Sequence, residues 1–184
     1  MGFTFKFFDS TRIVMLHGAG APPDDGWRSY LSQIRDRDLK TLGLLVFTNG
    51  GAPGPAQRKE LNDVVMGRFF ARAIVHDSVV VRGVVAAMSW FAPGAKAFGP
   101  DAWRSAASHA RFTPDEMVRL ASSVRRMHAS LGESIPWLPT LVAQALTLPP
   151  RNAPPGQLVE LERASNRPSR LDADPQQRGA SDQR

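Results

Sequence analysis

A chain of 184 residues, 42% of them hydrophobic, has the size of one ordinary domain with a tail and enough apolar mass to bury a core. It contains no cysteine, which excludes a disulfide scaffold, a thiolate metal site and a cysteine nucleophile. The net charge of +6 is spread as scattered arginines with acids nearby, without the basic blocks or interleaved aromatics of a nucleic-acid binder, and no window approaches the roughly 18 apolar residues of a membrane span.

In chain order, Phe3, Phe5 and Phe7 alternate with Thr4 and Lys6, and Ile13-Val14-Met15-Leu16 follows the polar stretch Asp9-Ser10-Thr11, which predicts a β-hairpin. Gly18 to Gly26 is a Gly/Pro/Asp loop. Trp27, Tyr30, Leu31 and Ile34 then recur at i, i+3, i+4 and i+7, the apolar face of a helix. Leu42, Leu44, Leu45, Val46 and Phe47 form a continuous apolar run, the mark of a central strand buried on both faces. The loop after it, Asn49-Gly50-Gly51-Ala52-Pro53-Gly54-Pro55, leads into a helix with Leu61, Val64 and Val65 inward.

Ala71 to Val75 reads as a further strand, and Asp77 or Ser78 as the N-cap of a helix carrying Val80, Val84, Ala87, Met88 and Phe91. After Pro93-Gly94, Ala95 to Phe98 has the length of an edge strand. Asp101 is placed to cap a helix with Trp103, Ala106, Ala107 and Ala110. Thr113-Pro114-Asp115-Glu116 is a capping box that opens a helix burying Met117, Leu120, Ala121, Val124, Met127 and Leu131. This pattern predicts an α/β fold with a mixed, mostly parallel sheet of four to five strands, flanking helices and extra C-terminal helices. The expected organisation is a body over 1–132, a short helical extension over 133–148 and a disordered tail over 149–184.

The Gly/Pro loop is the sharpest candidate site. Its glycines permit close backbone approach, and the helix behind it favours an anion or a partner's acceptors. It lacks the Gly-Lys-Ser/Thr of a P-loop and the spacing of a dinucleotide fingerprint. His17-Gly18-Ala19-Gly20 has the look of an oxyanion-hole segment, yet no G-x-S-x-G elbow accompanies it. His76-Asp77-Ser78 reads as a helix cap. His109 and His128 have no paired ligand at helical spacing, so no metal or other cofactor is expected.

The hairpin, the helix at Trp27 to Ile34, the central strand running into the Thr48 to Val65 loop and helix, and the helix ending in Met88-Ser89-Trp90-Phe91 before a short strand together resemble the STAS domain, the fold of sporulation anti-sigma factor antagonists. The resemblance covers roughly Phe3 to Ala110. In those antagonists the loop after the central strand carries a phosphorylated hydroxyl in an Asp-Ser-Ser/Thr-Gly-like signature. Here no serine occupies the loop, and Thr48 is the nearest hydroxyl. The resemblance implies the fold and an interaction role, so the expectation is a non-enzymatic regulatory or scaffold module that binds a protein partner, with a homodimer compatible; the absence of cysteine fits a cytoplasmic location. The expected contacts are side chains of Thr48, Asn49, Pro53, Gln57, Arg58 and Trp90 and backbone donors of Gly50 and Gly51. The alternative is a small hydrolase or transferase using His17 and the Gly-rich loop as an anion site.

Overall fold

The computed structural model describes residues 2–88 and 94–147. Trp90 and Phe91, and the expected tail over 149–184, lie outside them. Five strands form one sheet: β1 (Phe3–Phe7), β2 (Arg12–His17), β3 (Gly43–Thr48), β4 (Ala71–Val75) and β5 (Ala95–Phe98). β1 runs antiparallel to β2, with Phe3 opposite His17, and the other neighbours are parallel, so the sheet is mixed and mostly parallel as the pattern predicts. Strand order follows chain order, which places β3 in the middle.

Six α-helices accompany the sheet among the described residues: α1 (Asp24–Arg35), α2 (Pro55–Val65), α3 (Val79–Met88), α4 (Trp103–His109), α5 (Met117–Ser130) and α6 (Leu138–Thr147). Side chains alternate across each strand, and in β2 and β3 both sets are apolar in the strand interior, which divides the core in two. Ile13, Met15 and Leu44 meet Trp27, Tyr30, Leu31 and Ile34 of α1 and Val64 and Val65 of α2. Val14, Leu16, Leu45, Phe47, Ala73 and Val75 meet α4, α5 and α6, with Leu120, Val124, Leu138 and Val142 in the same cluster. The described segment 133–147 therefore contributes core rather than decoration. Each such buried side chain supplies roughly 1.5–3 kcal/mol of hydrophobic stabilisation.

Small residues set the spacing on that second side. Ala106 and Ala107 of α4 and Ala110, just past its end, pack with the sheet residues, and a Cβ on Gly43 would stand 2.1 Å from the Ala110 carbonyl oxygen. Thr113 and Glu116 make the predicted capping box, with the Thr113 N–H and hydroxyl donating to Glu116 Oε2 at 2.9 and 2.8 Å. One helical turn of 3-10 type, Pro114–Glu116, precedes α5.

Two expectations are corrected. Asp101 caps nothing: it sits inside a 3-10 turn, Pro100–Ala102, that precedes α4, and no side chain caps that helix. Val80 and Val84 of α3 do not face the core, because α3 lies at the margin of the sheet against β5 and turns both valines to solvent. Leu61 of α2 is only partly buried.

Candidate functional site

The loops that follow β2, β3 and β4 share one rim of the sheet. Strand order never reverses among the five strands, so the crevice that opens at such a reversal in other open α/β sheets does not form here. The rim is a surface made by loops.

Thr48 ends β3 with its side chain buried. Its hydroxyl accepts the Gly50 N–H and donates to the Gly51 carbonyl, both at 3.1 Å, which closes a tight turn. Gly50 takes φ of 94°, a conformation that glycine adopts without steric cost. Next, the Asn49 N–H donates to the His17 carbonyl and the Gly51 N–H to the Gly18 carbonyl, each at 2.9 Å. A Cβ on Gly51 would lie 2.3 Å from the carbonyl oxygens of both Gly18 and Gly20. The expected outward-pointing donors of Gly50 and Gly51 are thus consumed inside the molecule, Gly50 by the Thr48 hydroxyl of its own turn and Gly51 by the glycine loop after β2. Among the described residues the Asn49 side chain reaches the Ser134 carbonyl, at 3.5 Å.

Gln57 holds the other half of the rim. The helix opens Gly54-Pro55-Ala56-Gln57, and the buried Gln57 side chain folds back so that Oε1 accepts the Gly54 N–H at 2.9 Å. Its Nε2 donates to the Pro22 carbonyl and to Asp24 Oδ1, both at 2.8 Å, while its own carbonyl accepts Trp27 Nε1–H at 3.1 Å. One residue therefore ties the starts of α1 and α2 together. Between them lies an open depression of about 400 Å³ lined by Ala21, Pro22, Asp24, Gly54, Pro55 and Ala56. Arg58 is exposed beside it, one guanidinium N–H donating to the Pro53 carbonyl at 2.8 Å. Of the predicted contacts, Pro53 and Arg58 stand at this rim, Thr48 and Gln57 support it from beneath, and Trp90 lies outside the described residues.

Three of the four histidines, His76, His109 and His128, have hydrogen-bond partners within the chain. His17 is buried at the end of β2, and its Nε2 makes no well-aligned hydrogen bond. Burial pushes its pKa below the ordinary histidine range, outweighing the carbonyls of Gly20 and Gly51 and the Glu133 carboxylate, which favour the charged ring. His76 Nδ1 accepts the Ser78 N–H at 2.8 Å, and Ser78 Oγ accepts the Val81 N–H at 3.4 Å, so the His-Asp-Ser run is a helix cap with Ser78 as the capping residue. His109 Nε2 lies 2.9 Å from the Gly94 carbonyl, and no group of three potential metal ligands occurs among the described residues.

Glu133 is the unexpected member. Its carboxylate accepts the N–H groups of Ala19 and Gly2, which pull its pKa below the usual carboxylate range. The Gly18 N–H is taken by the Gly2 carbonyl at 2.6 Å. Two amides that an anion would use in the His17-Gly18-Ala19-Gly20 segment are already bonded within the chain. No described helix is long and apolar enough to cross a membrane. No protein-family model matches this chain, and neither curated proteins nor solved structures provide a match.

Proposed function

We propose that this chain is a non-enzymatic regulatory or scaffold module of STAS-like character, binding a protein partner at the rim formed by the loop after β3 and the start of α2. The observation that carries this reading is the pre-organised depression between Pro22 and Ala56. Gln57 and the interlocked glycine loops hold its walls, and Arg58 stands at its border. A pre-organised recess with mostly apolar walls, the Asp24 carboxylate in its lining and Arg58 at its border suits a peptide side chain, because little entropy is lost on ordering the host. The STAS resemblance supports the same site by element order.

The test is capture of partners from the source cell with wild type, Ala56→Glu and Arg58→Glu compared side by side. An acid in the first turn of a helix is electrostatically favourable, so the fold is kept while charge enters the recess. Loss of a retained protein with unchanged thermal midpoints is the expected result. Equal capture by all three proteins removes the rim from the interface.

A further inference from the structure

We propose that the main-chain cradle made by Gly2, Gly18 and Ala19 is a carboxylate-binding site for an acidic side chain of the protein partner, and that Glu133 fills it in cis as a displaceable stand-in. The occupant displays the chemistry that the cradle takes. Its two oxygens are captured separately: Oε2 accepts the Gly2 N–H at 2.7 Å and Oε1 accepts the Ala19 N–H at 2.8 Å. One donor for each oxygen matches a planar carboxylate and makes both bonds charge-assisted. Close approach depends on the two glycines. A Cβ on Gly18 would stand 2.3 Å from Oε2 and 2.5 Å from the carboxyl carbon, and one on Gly2 would stand 2.9 Å from the Glu133 Cβ.

The cradle is held together by bonds that do not involve its occupant. The Gly18 N–H donates to the Gly2 carbonyl at 2.6 Å, which joins the two donor segments, and the Gly51 N–H donates to the Gly18 carbonyl at 2.9 Å, which ties them to the turn after β3. Glu133 itself is held less firmly. It is half-buried between the exposed Gly132 and Ser134, and no lysine or arginine side chain pairs with it among the described residues. Leu131 and Ile135 are buried on either side, so the carboxylate can leave by rotation about its own side-chain bonds while the turn stays anchored. A pre-organised host filled by a tethered, rotatable copy of its ligand has the build of an internal competitor.

This inference rests on the reading of the rim as a partner surface. Ala21, which lines the recess beside α2, lies two residues along the loop from Ala19 and so within about 7 Å of chain. A peptide seated in the recess therefore has the cradle within reach of a neighbouring side chain. The net charge of +6 draws an acidic segment in preference to a basic one.

The probe is acetate, exchanged for chloride at constant ionic strength, with the Gly2 and Ala19 amide resonances of the full chain as the readout. In Glu133→Ala these amides should shift saturably while Leu45 in mid-sheet stays put. In wild type the same shifts should need about tenfold more acetate or beyond, because the tethered carboxylate must be displaced first. Adding Gly18→Ala to Glu133→Ala sets a methyl group where the carboxylate lies and should abolish the response. Should Glu133→Ala fail to fold, Glu133→Gln keeps the bulk and one acceptor and carries the same comparison. Cradle amides of the variant that ignore acetate overturn the proposal, as does a response that survives Gly18→Ala or one that inorganic phosphate reproduces equally. Wild-type amides that never respond make Glu133 a permanent staple and overturn the displacement. The rim reading fails separately: equal partner capture by Arg58→Glu removes it and leaves the acetate response in place.

Discussion

The Glu133 carboxylate, on the turn between α5 and α6, accepts the Ala19 N–H at 2.8 Å and so fastens the last helical pair to the first loop of the rim. The Gly2 N–H, at 2.7 Å, is its second donor. Removing the acceptor in Glu133→Ala should speed hydrogen exchange at the Ala19 and Gly2 amides and leave Leu45, in mid-sheet, unchanged. Identical exchange in the two proteins would show that the contact does not form in solution.

Gln57→Leu keeps the bulk of the side chain and strands the Gly54 N–H and the Pro22 carbonyl. The cost should be about 2–3 kcal/mol, read as a lower urea midpoint with an unchanged slope. Gln57→Glu keeps the acceptor for Gly54 but sets a carboxylate against Asp24 and the Pro22 carbonyl. Its deficit should shrink on acidification, when the new carboxyl regains a proton to donate.

Gly51→Val has no room for its side chain, since the obstacles are backbone carbonyl oxygens that cannot swing aside. The two glycine loops must separate, at an expected cost of about 1–3 kcal/mol. Gly43→Ala should behave similarly for the contact between β3 and Ala110. A variant that melts with wild type would show that the loops tolerate being parted.

Acid should loosen the hairpin. Burial would raise the Asp9 carboxyl, but hydrogen bonds from Arg12 and Thr11 outweigh it and hold the pKa at about 2. Glu116 is lowered as well, its burial outweighed by bonds from Thr113 and the Arg12 guanidinium. Both acids bind protons more weakly folded than unfolded. Their contribution is therefore complete above pH about 4 and drains away towards pH about 2, by about 1–2 kcal/mol for Asp9 after allowance for its partial exposure. Arg12→Met should flatten the decline, and an equally steep profile in that variant would place the sensitivity elsewhere.

A milder acid effect should arise at His128, whose Nε2 accepts the Ile135 N–H at 3.0 Å and must stay unprotonated to do so. Burial lowers its pKa, as it does for His17. For a base held below its unfolded value, stability is present at higher pH and is lost as pH falls below about 6.5. His128→Gln should reduce the drop in melting temperature between neutral pH and pH about 5; an unchanged drop would exclude it as a source.

Much of this architecture is legible in the residues because the forces involved are local or periodic. The run Leu42 to Phe47 announces a strand covered on both sides, and Thr113 to Glu116 announces a helix start through bonds spanning three residues. Periodicity fails at α3 for a physical reason: a helix apolar on every side has no stripe to say which way it faces. The glycines mark the rim in the sequence, yet their donors turn inward, Gly50 to the Thr48 hydroxyl and Gly51 to a carbonyl of the loop after β2. Gln57 three residues after Gly54 was a readable capping signature, while Glu133 is 114 positions from Ala19 and leaves no local trace.

All five strands are complete by Phe98, but the side of the sheet bearing Val14, Leu16, Leu45 and Phe47 is roofed by helices drawn from later in the chain, α4 to α6. A polypeptide still emerging from a ribosome would hold a finished, greasy platform open to solvent until its last third was translated. Synthesis halted before Met117 should thus yield a species that recruits chaperones or clumps, whatever the merits of its first hundred residues.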